Sequence, residues 1–187
     1  MKLPKNAKLV HKGIIFDTYQ WKQKMFDGSY ETFEMLKRPN TVQIIATEGN
    51  RILVLNEEQP RLKRHVSLIG GRQDEGETPL QCAKRELLEE TGYISNDWEL
   101  YMATDPYIKM EWKIYTFIAR NCQKKQAQQL DPGEKITIKK ISFSQFLRAI
   151  QSTKLPAKEL TLHVFGEINQ SKTFLSTFKK KIFPTNT

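Results

Sequence analysis

Apolar and polar positions along the 187-residue chain predict strands, then one sharply marked helix, then strands and helices again. Residues 7–19 and 30–37 carry enough Val, Ile, Phe and Tyr to be strands, with the turn signal Asp27-Gly28-Ser29 between them. Residues 41–47 and 52–55 are β-rich runs on either side of Gly49-Asn50, the pattern of a hairpin. A short strand at 66–69 leads into Gly70 and Gly71.

The next segment predicts a helix with both ends marked. Thr78 can cap it, Pro79 takes the first helical position, Gln81 completes a capping box, and Gly92 stands just past the end. Leu80, Ala83 and Leu87 fall at i, i+3 and i+7, one apolar face for a core. Glu86 and Glu90 share a second face, with Glu89 beside them. Further on, 97–104 and 111–119 predict strands, Asp131-Pro132-Gly133 a turn, and 144–152 and a segment within 158–180 helices. Strands, helix, strands, helices make an α+β domain with mixed sheets rather than a regular βαβ alternation. Its length suits one domain over 1–187: an N-terminal β segment (1–40), a core (41–150) and a C-terminal helical extension (151–187).

Composition changes this picture little. A hydrophobic fraction of 39 % and a charged fraction of 27 % read as soluble and globular. No apolar run approaches the ~20 residues of a membrane span, and Met1-Lys2-Leu3-Pro4-Lys5 lacks the apolar core of a signal peptide, so a cytoplasmic location is expected. Cys82 and Cys122 are too few for a disulfide framework and are expected as buried, reduced thiols. His11, His65 and His163 are scattered and predict no metal cluster. The formal charge of +9 draws anionic partners, nucleotides or nucleic acid, although Lys179, Lys180 and Lys181 also fit a solvated basic surface.

The glutamates carry the chemistry. Like charges four apart destabilise a helix, and Arg85 can relieve one of Glu86, Glu89 and Glu90 but not all three. A hard divalent cation would satisfy the set, since Mg²⁺ takes oxygen ligands and is held by one or two carboxylates plus substrate phosphates. Such a cation polarises a phosphoryl oxygen and lowers the pKa of an attacking water. Gly70 and Gly71 let backbone approach the ion or phosphate. Glu77 is placed to brace the loop against Arg85 or the helix start.

Gly71, Glu77, Arg85, Glu86, Leu87, Glu89, Glu90, Gly92 and Tyr93 together resemble the Nudix box, G-x5-E-x7-R-E-U-x-E-E-x-G-U, with every specified position filled. The resemblance implies an α/β/α sandwich that hydrolyses a nucleoside diphosphate linked to another moiety, X, using Mg²⁺ or Mn²⁺. It implies metal at Glu86, Glu89 and Glu90 with a backbone carbonyl at Gly70 or Gly71, and an orienting pair in Arg85 and Glu77. Over roughly 8–150 the chain is similar to ADP-ribose and nucleoside-diphosphate-sugar pyrophosphatases. In that group Arg61, of Glu58-Gln59-Pro60-Arg61, would contact substrate phosphates from the strand before the box. Pro106 and Glu111, five apart, would bind substrate; the usual Ser-Pro-Gly is Asp105-Pro106-Tyr107 here, and the usual Leu-Pro-Ala-Gly is Leu68-Ile69-Gly70-Gly71. Glu134 resembles the glutamate that a mobile loop brings to the metals, as ligand or general base. Either Glu89 or Glu134 would be the base, with Arg85 completing the catalytic set. Trp112 and Tyr107 are either core aromatics or a surface on which a base stacks. The strands within 7–37 resemble the segment through which nucleotide-sugar relatives form homodimers. Rival readings are a hydrolase of dinucleoside polyphosphates, nucleoside triphosphates or RNA 5′ ends, and a catalytically silent nucleotide-binding or sensor domain. The silent domain would ordinarily have lost box glutamates, and this chain keeps them all.

Overall fold

The computed structural model describes residues 2–152 and 155–183. In chain order its elements are β1 (Lys8–His11), β2 (Asp17–Lys24), β3 (Tyr30–Lys37), β4 (Thr41–Glu48), β5 (Arg51–Gln59), β6 (Leu62–Ser67), α1 (Pro79–Thr91) and β7 (Tyr93–Ile94). There follow β8 (Asp97–Thr104), β9 (Met110–Glu111), β10 (Ile114–Arg120), β11 (Gln123–Lys124), β12 (Lys135–Ile141), α2 (Phe143–Gln151), α3 (Lys158–Gln170) and α4 (Phe174–Ile182).

The principal sheet runs β12-β5-β4-β10-β8, with β6 also paired to β5. β10 lies parallel to β4 and the other pairings are antiparallel, so the sheet is mixed. Successive side chains of a strand point to opposite faces, and both faces here are covered. Ile44, Ala46, Leu53, Leu55, Phe117 and Ala119 pack with Cys82, Ala83 and Leu87 of α1. Ile45, Ile52, Val54 and Ile118 pack on the other side with Phe146 and Ile150 of α2, Leu160 and Val164 of α3, and Phe178 and Ile182 of α4. This is an α/β/α sandwich, and burial on both faces explains the unbroken apolar run Ile52-Leu53-Val54-Leu55 in β5. The stretch expected as an extension after residue 150 therefore supplies α3 and α4, which complete one layer beside α2. No helix among the described residues is long and apolar enough to cross a membrane. Both cysteines are free and buried.

Several predicted boundaries shift. The expected strand at 7–19 is two strands, because the chain bends between them: the Gly13 N–H donates to Asp17 Oδ1 at 3.2 Å, and a Cβ on Gly13 would lie 2.3 Å from the Phe16 carbonyl oxygen. The strand expected at 66–69 lies earlier, as β6, while Ile69 and Arg72 make only isolated bridges to Ile44 and Thr41. The run 111–119 begins at Ile114; Glu111 belongs to β9, which pairs in parallel with β3. The helical segment in 158–180 is two helices. β12 was not predicted. Its three lysines read as surface, yet it is an edge strand whose Ile136 and Ile138 turn into the core.

β4 and β5 pair only from Ala46 to Glu48, then diverge. Into that gap comes the loop before α1: Ile44 N–H donates to the Ile69 carbonyl at 2.8 Å and Val42 N–H to the Gly71 carbonyl at 2.9 Å. The glycine pair is thereby fixed against the sheet, in front of α1.

Candidate active site

The helix start is built locally. Thr78 Oγ1 accepts from the Gln81 N–H at 3.2 Å while Gln81 Oε1 accepts from the Thr78 N–H at 2.8 Å, the reciprocal capping box the sequence predicted. With its apolar stripe in the core, α1 turns Glu86, Glu89 and Glu90 toward the glycine loop. Gly70, at φ +154°, would drive a Cβ to 2.1 Å from the Val42 carbonyl oxygen. A Cβ on Gly71 would lie 2.3 Å from Glu86 Oε1. At Gly70 the obstructing atom is backbone, so only glycine fits; at Gly71 a Cβ would push the Glu86 carboxylate from its place.

Arg85 organises the cluster. Its Nε donates to Glu77 Oε1 at 2.8 Å and its Nη2 to Glu77 Oε2 at 3.0 Å, a fork on one carboxylate. Nη1 reaches Glu86 Oε1 at 2.9 Å and Glu89 Oε2 at 3.0 Å, and Nη2 also donates to the Arg72 carbonyl at 3.0 Å. The guanidinium holds the Glu77 carboxyl down at about 2. Burial pushes the Cys82 thiol up to about 12, so that neighbouring thiol is no nucleophile.

The remaining carboxylates sit in the opposite condition. Burial raises Glu86 to about 7, against the opposing pull of Arg85. Glu90 is 6 % exposed, and burial lifts its carboxyl well above the usual range. The Gly70 N–H, donating to Glu90 Oε2 at 2.8 Å, partly offsets this, while the charges of Glu86 and Glu134 add to it. Burial also raises Glu134, with Asp131, Glu57 and Glu89 contributing. Among the described residues no three His, Cys, Asp or Glu side chains form a ready-made ligand cage, since Glu86 and Glu89 both lean on Arg85. The donor set nevertheless fits a hard cation: crowded, partly desolvated oxygens whose charge the single guanidinium cannot neutralise.

A pH dependence follows. Glu86, at about 7 when folded against 4.5 for the free side chain, binds its proton more tightly in the native state. Its contribution to stability is thus fully present below about 4.5 and lost as pH climbs to about 7. Glu77 has the reverse sign, stabilising above 4.5 and losing that contribution as pH falls toward about 2. With metal chelated, the thermal midpoint should fall between pH 4.5 and 7, and Glu86→Gln should flatten that fall. Circular dichroism melts across this window check it; identical slopes in both proteins would refute the assignment.

Glu86, Glu89, Glu90 and Glu134 line one cavity of about 600 Å³ together with Gly70, Gly71 and Arg85. Two further residues in its wall, Arg38 and Arg72, carry no motif signal and were missed in the sequence. Arg38 directly follows β3, and its guanidinium lies 4.3 Å from the Trp112 ring and 5.4 Å from that of Phe16. Only the meeting of β3 with the β9–β10 connection brings it here. Arg61, by contrast, is not brought to the cavity; it lies exposed at the β5–β6 turn. Glu111 pairs with Lys37 at 2.9 Å and accepts from the Leu3 N–H at 2.7 Å, lining a separate small cavity. Pro106 is half-buried in the loop after β8. Tyr107 and Trp112 stack, with centroids 6.1 Å apart and planes 15° from parallel. Two of the histidines are spoken for structurally: His163 Nε2 meets Tyr101 Oη at 3.0 Å and His65 meets Glu57 at 2.8 Å.

A mixed sheet between helical layers, with the glutamate helix facing a glycine loop, defines a class that sequence comparison also finds. The NUDIX domain model matches residues 37–163, and the chain belongs to that family. Within the family its similarity runs to the ADP-ribose pyrophosphatase group. It is 26 % identical over 151 residues to the ADP-ribose pyrophosphatase of Bacillus subtilis (strain 168), covering 78 % of this chain and 81 % of that protein. It is 30 % identical over 134 residues to the methanol dehydrogenase activator of Bacillus methanolicus, covering 69 % and 72 %. A crystal structure of an ADP compounds hydrolase superposes with a TM-score of 0.65 over 79 % of this chain and 81 % of that one, at 18 % identity, a likeness of fold.

Proposed function

We propose that this chain hydrolyses the pyrophosphate bond of a nucleoside diphosphate linked to a second group, with ADP-ribose or a nucleotide sugar as substrate and Mg²⁺ or Mn²⁺ as cofactor. ADP-ribose would give AMP and ribose 5-phosphate. One observation carries this: four glutamates and the arginines Arg38 and Arg72 line a single cavity. That pairing suits a cation-bridged anion better than either charge alone.

Glu86, Glu89 and Glu90 would hold the cation, with the carbonyl of Gly70, since that of Gly71 already accepts from Val42. When bound, it supplies charge neutralisation on the diphosphate and lowers the pKa of a nearby water. The chain does the rest. Arg85 holds Glu86 and Glu89 in place. Glu134 takes the proton from the attacking water: Glu89 is committed to Arg85, whereas burial brings the Glu134 carboxyl upward, toward the proton affinity a base needs at neutral pH. Arg38 and Arg72 stabilise charge on the departing phosphate.

A substrate panel with Mg²⁺ and with Mn²⁺ tests the assignment. ADP-ribose and sugar nucleotides should give nucleoside monophosphate with kcat/KM at least about tenfold above that for triphosphates, dinucleoside polyphosphates or 5′-triphosphate RNA, a difference of ~1.4 kcal/mol in transition-state binding. A preference for RNA ends, with affinity falling steeply in salt, would replace the proposal.

A further inference from the structure

The C-terminal end of α1 is closed by a segment from elsewhere in the chain. The last four carbonyls of a helix find no partner in the helix itself, and in α1 these belong to Leu88, Glu89, Glu90 and Thr91. The Leu88 carbonyl accepts from the Gly92 N–H at 2.7 Å. Each of the other three is met by the stretch 124–129. Lys124 Nζ donates to the Thr91 carbonyl at 2.6 Å, Gln128 Nε2 to that of Glu90 at 2.5 Å, and the Gln129 N–H to that of Glu89 at 2.8 Å. The last turn of α1 has no basic residue of its own, so the Lys124 ammonium supplies the positive charge that this negative end favours. The approach is close: a Cβ on Gly92, which sits at φ +69°, would lie 2.1 Å from the Gln126 carbonyl oxygen.

The same stretch leads into the loop that carries Glu134. A side-chain amide nitrogen has two hydrogens to give, and Gln128 Nε2 also donates to the Ile136 carbonyl in β12, at the longer distance of 3.4 Å. One side chain therefore joins α1 to β12 across the two ends of the loop 129–134. Within that loop Leu130 packs on the core, and the Glu134 N–H donates to the Asp131 carbonyl at 2.9 Å. Gln129, Asp131 and Glu134 line the carboxylate cavity. The carbonyls that anchor the loop belong to Glu89 and Glu90, whose side chains line the same cavity. Any donor at the Glu90 carbonyl would suffice to cap the helix. The onward bond to Ile136 ties the helix to the point where the loop returns.

We propose that Gln128 is a positioning residue for the hydrolysis: its amide, bonded at once to the Glu90 and Ile136 carbonyls, fixes Glu134 against the glutamates of α1. The inference rests on the reading of Glu134 as the base, but the hold on the loop is measurable without turnover. Gln128→Met is close in size and has no donor. In hydrogen exchange followed by mass spectrometry, the backbone amides of 129–134 should exchange about tenfold faster in this variant than in the wild type, as local opening becomes easier. In turnover of ADP-ribose it should lower kcat on the order of tenfold or more, as a displacement of up to ~1 Å would, with KM nearly unchanged. Glu134→Gln separates positioning from general damage. If Gln128 acts through Glu134, adding Gln128→Met to Glu134→Gln should lower kcat little further, since the two substitutions remove one shared effect. A merely structural role would give the same fold-loss in both backgrounds, and that result would overturn the proposal. Unchanged exchange over 129–134 would overturn it as well. Gln128→Asn, which keeps the amide but draws it back by one methylene, carries the same test should Gln128→Met fail to fold. Wild-type kcat in Glu134→Gln would remove the base and the catalytic role of Gln128 together, leaving the exchange to decide the hold on the loop.

Discussion

Glu90→Gln is expected to lower kcat by roughly 10²–10⁴-fold, the range for losing an essential ionisable group, while leaving the fold at least as stable. The two halves of that expectation have one cause. Glu90 is buried beside Glu86 and Glu134, and its carboxyl is raised well above the usual range. An amide is close in shape to the protonated acid, can still accept from the Gly70 N–H, and removes a like charge from a desolvated cluster. Folding therefore loses little. What the amide lacks is the anionic oxygen a divalent cation needs. Steady-state kinetics and thermal melts on the same preparation check both halves; wild-type kcat would remove Glu90 from the site.

Arg85→Ala should do the opposite, damaging fold and function together. One guanidinium bonds Glu77 twice, Glu86, Glu89 and the Arg72 carbonyl. Removing it leaves several partly buried carboxylates facing one another, which costs about 3 kcal/mol. It also frees Glu86 and Glu89 to swing apart, and a displacement of about 1 Å in such a constellation lowers turnover by roughly 10²-fold. Arg85→Lys should recover little, because an ammonium cannot fork onto Glu77 while bonding two other carboxylates. Urea unfolding of the three proteins measures the first effect. A loss under about 0.5 kcal/mol in Arg85→Ala, the size of an ordinary surface substitution, would show that the network does not hold the loop to the helix.

What could be read in the sequence was whatever is local. The ends of α1 are set by Thr78, Pro79, Gln81 and Gly92 within a few residues of the bonds they make, so both boundaries and the shared glutamate face were legible. The α/β/α sandwich followed from the resemblance, and the element order agreed with it. Non-local pairing was hidden. β12 becomes a strand because β5 lies beside it, and its lysine-rich sequence states no such neighbour. Arg38 reaches the site through contacts between segments far apart in the chain, while Arg61, chosen by motif position, ends at a hairpin turn.

The most direct test of the site is Mg²⁺-dependent conversion of ADP-ribose to AMP and ribose 5-phosphate by the wild-type protein and Glu90→Gln, followed side by side. Stoichiometric release of both products by the wild type, abolished by chelator and lost in Glu90→Gln, is expected. Release at equal rates by the two proteins, or turnover that persists in chelator, would contradict it.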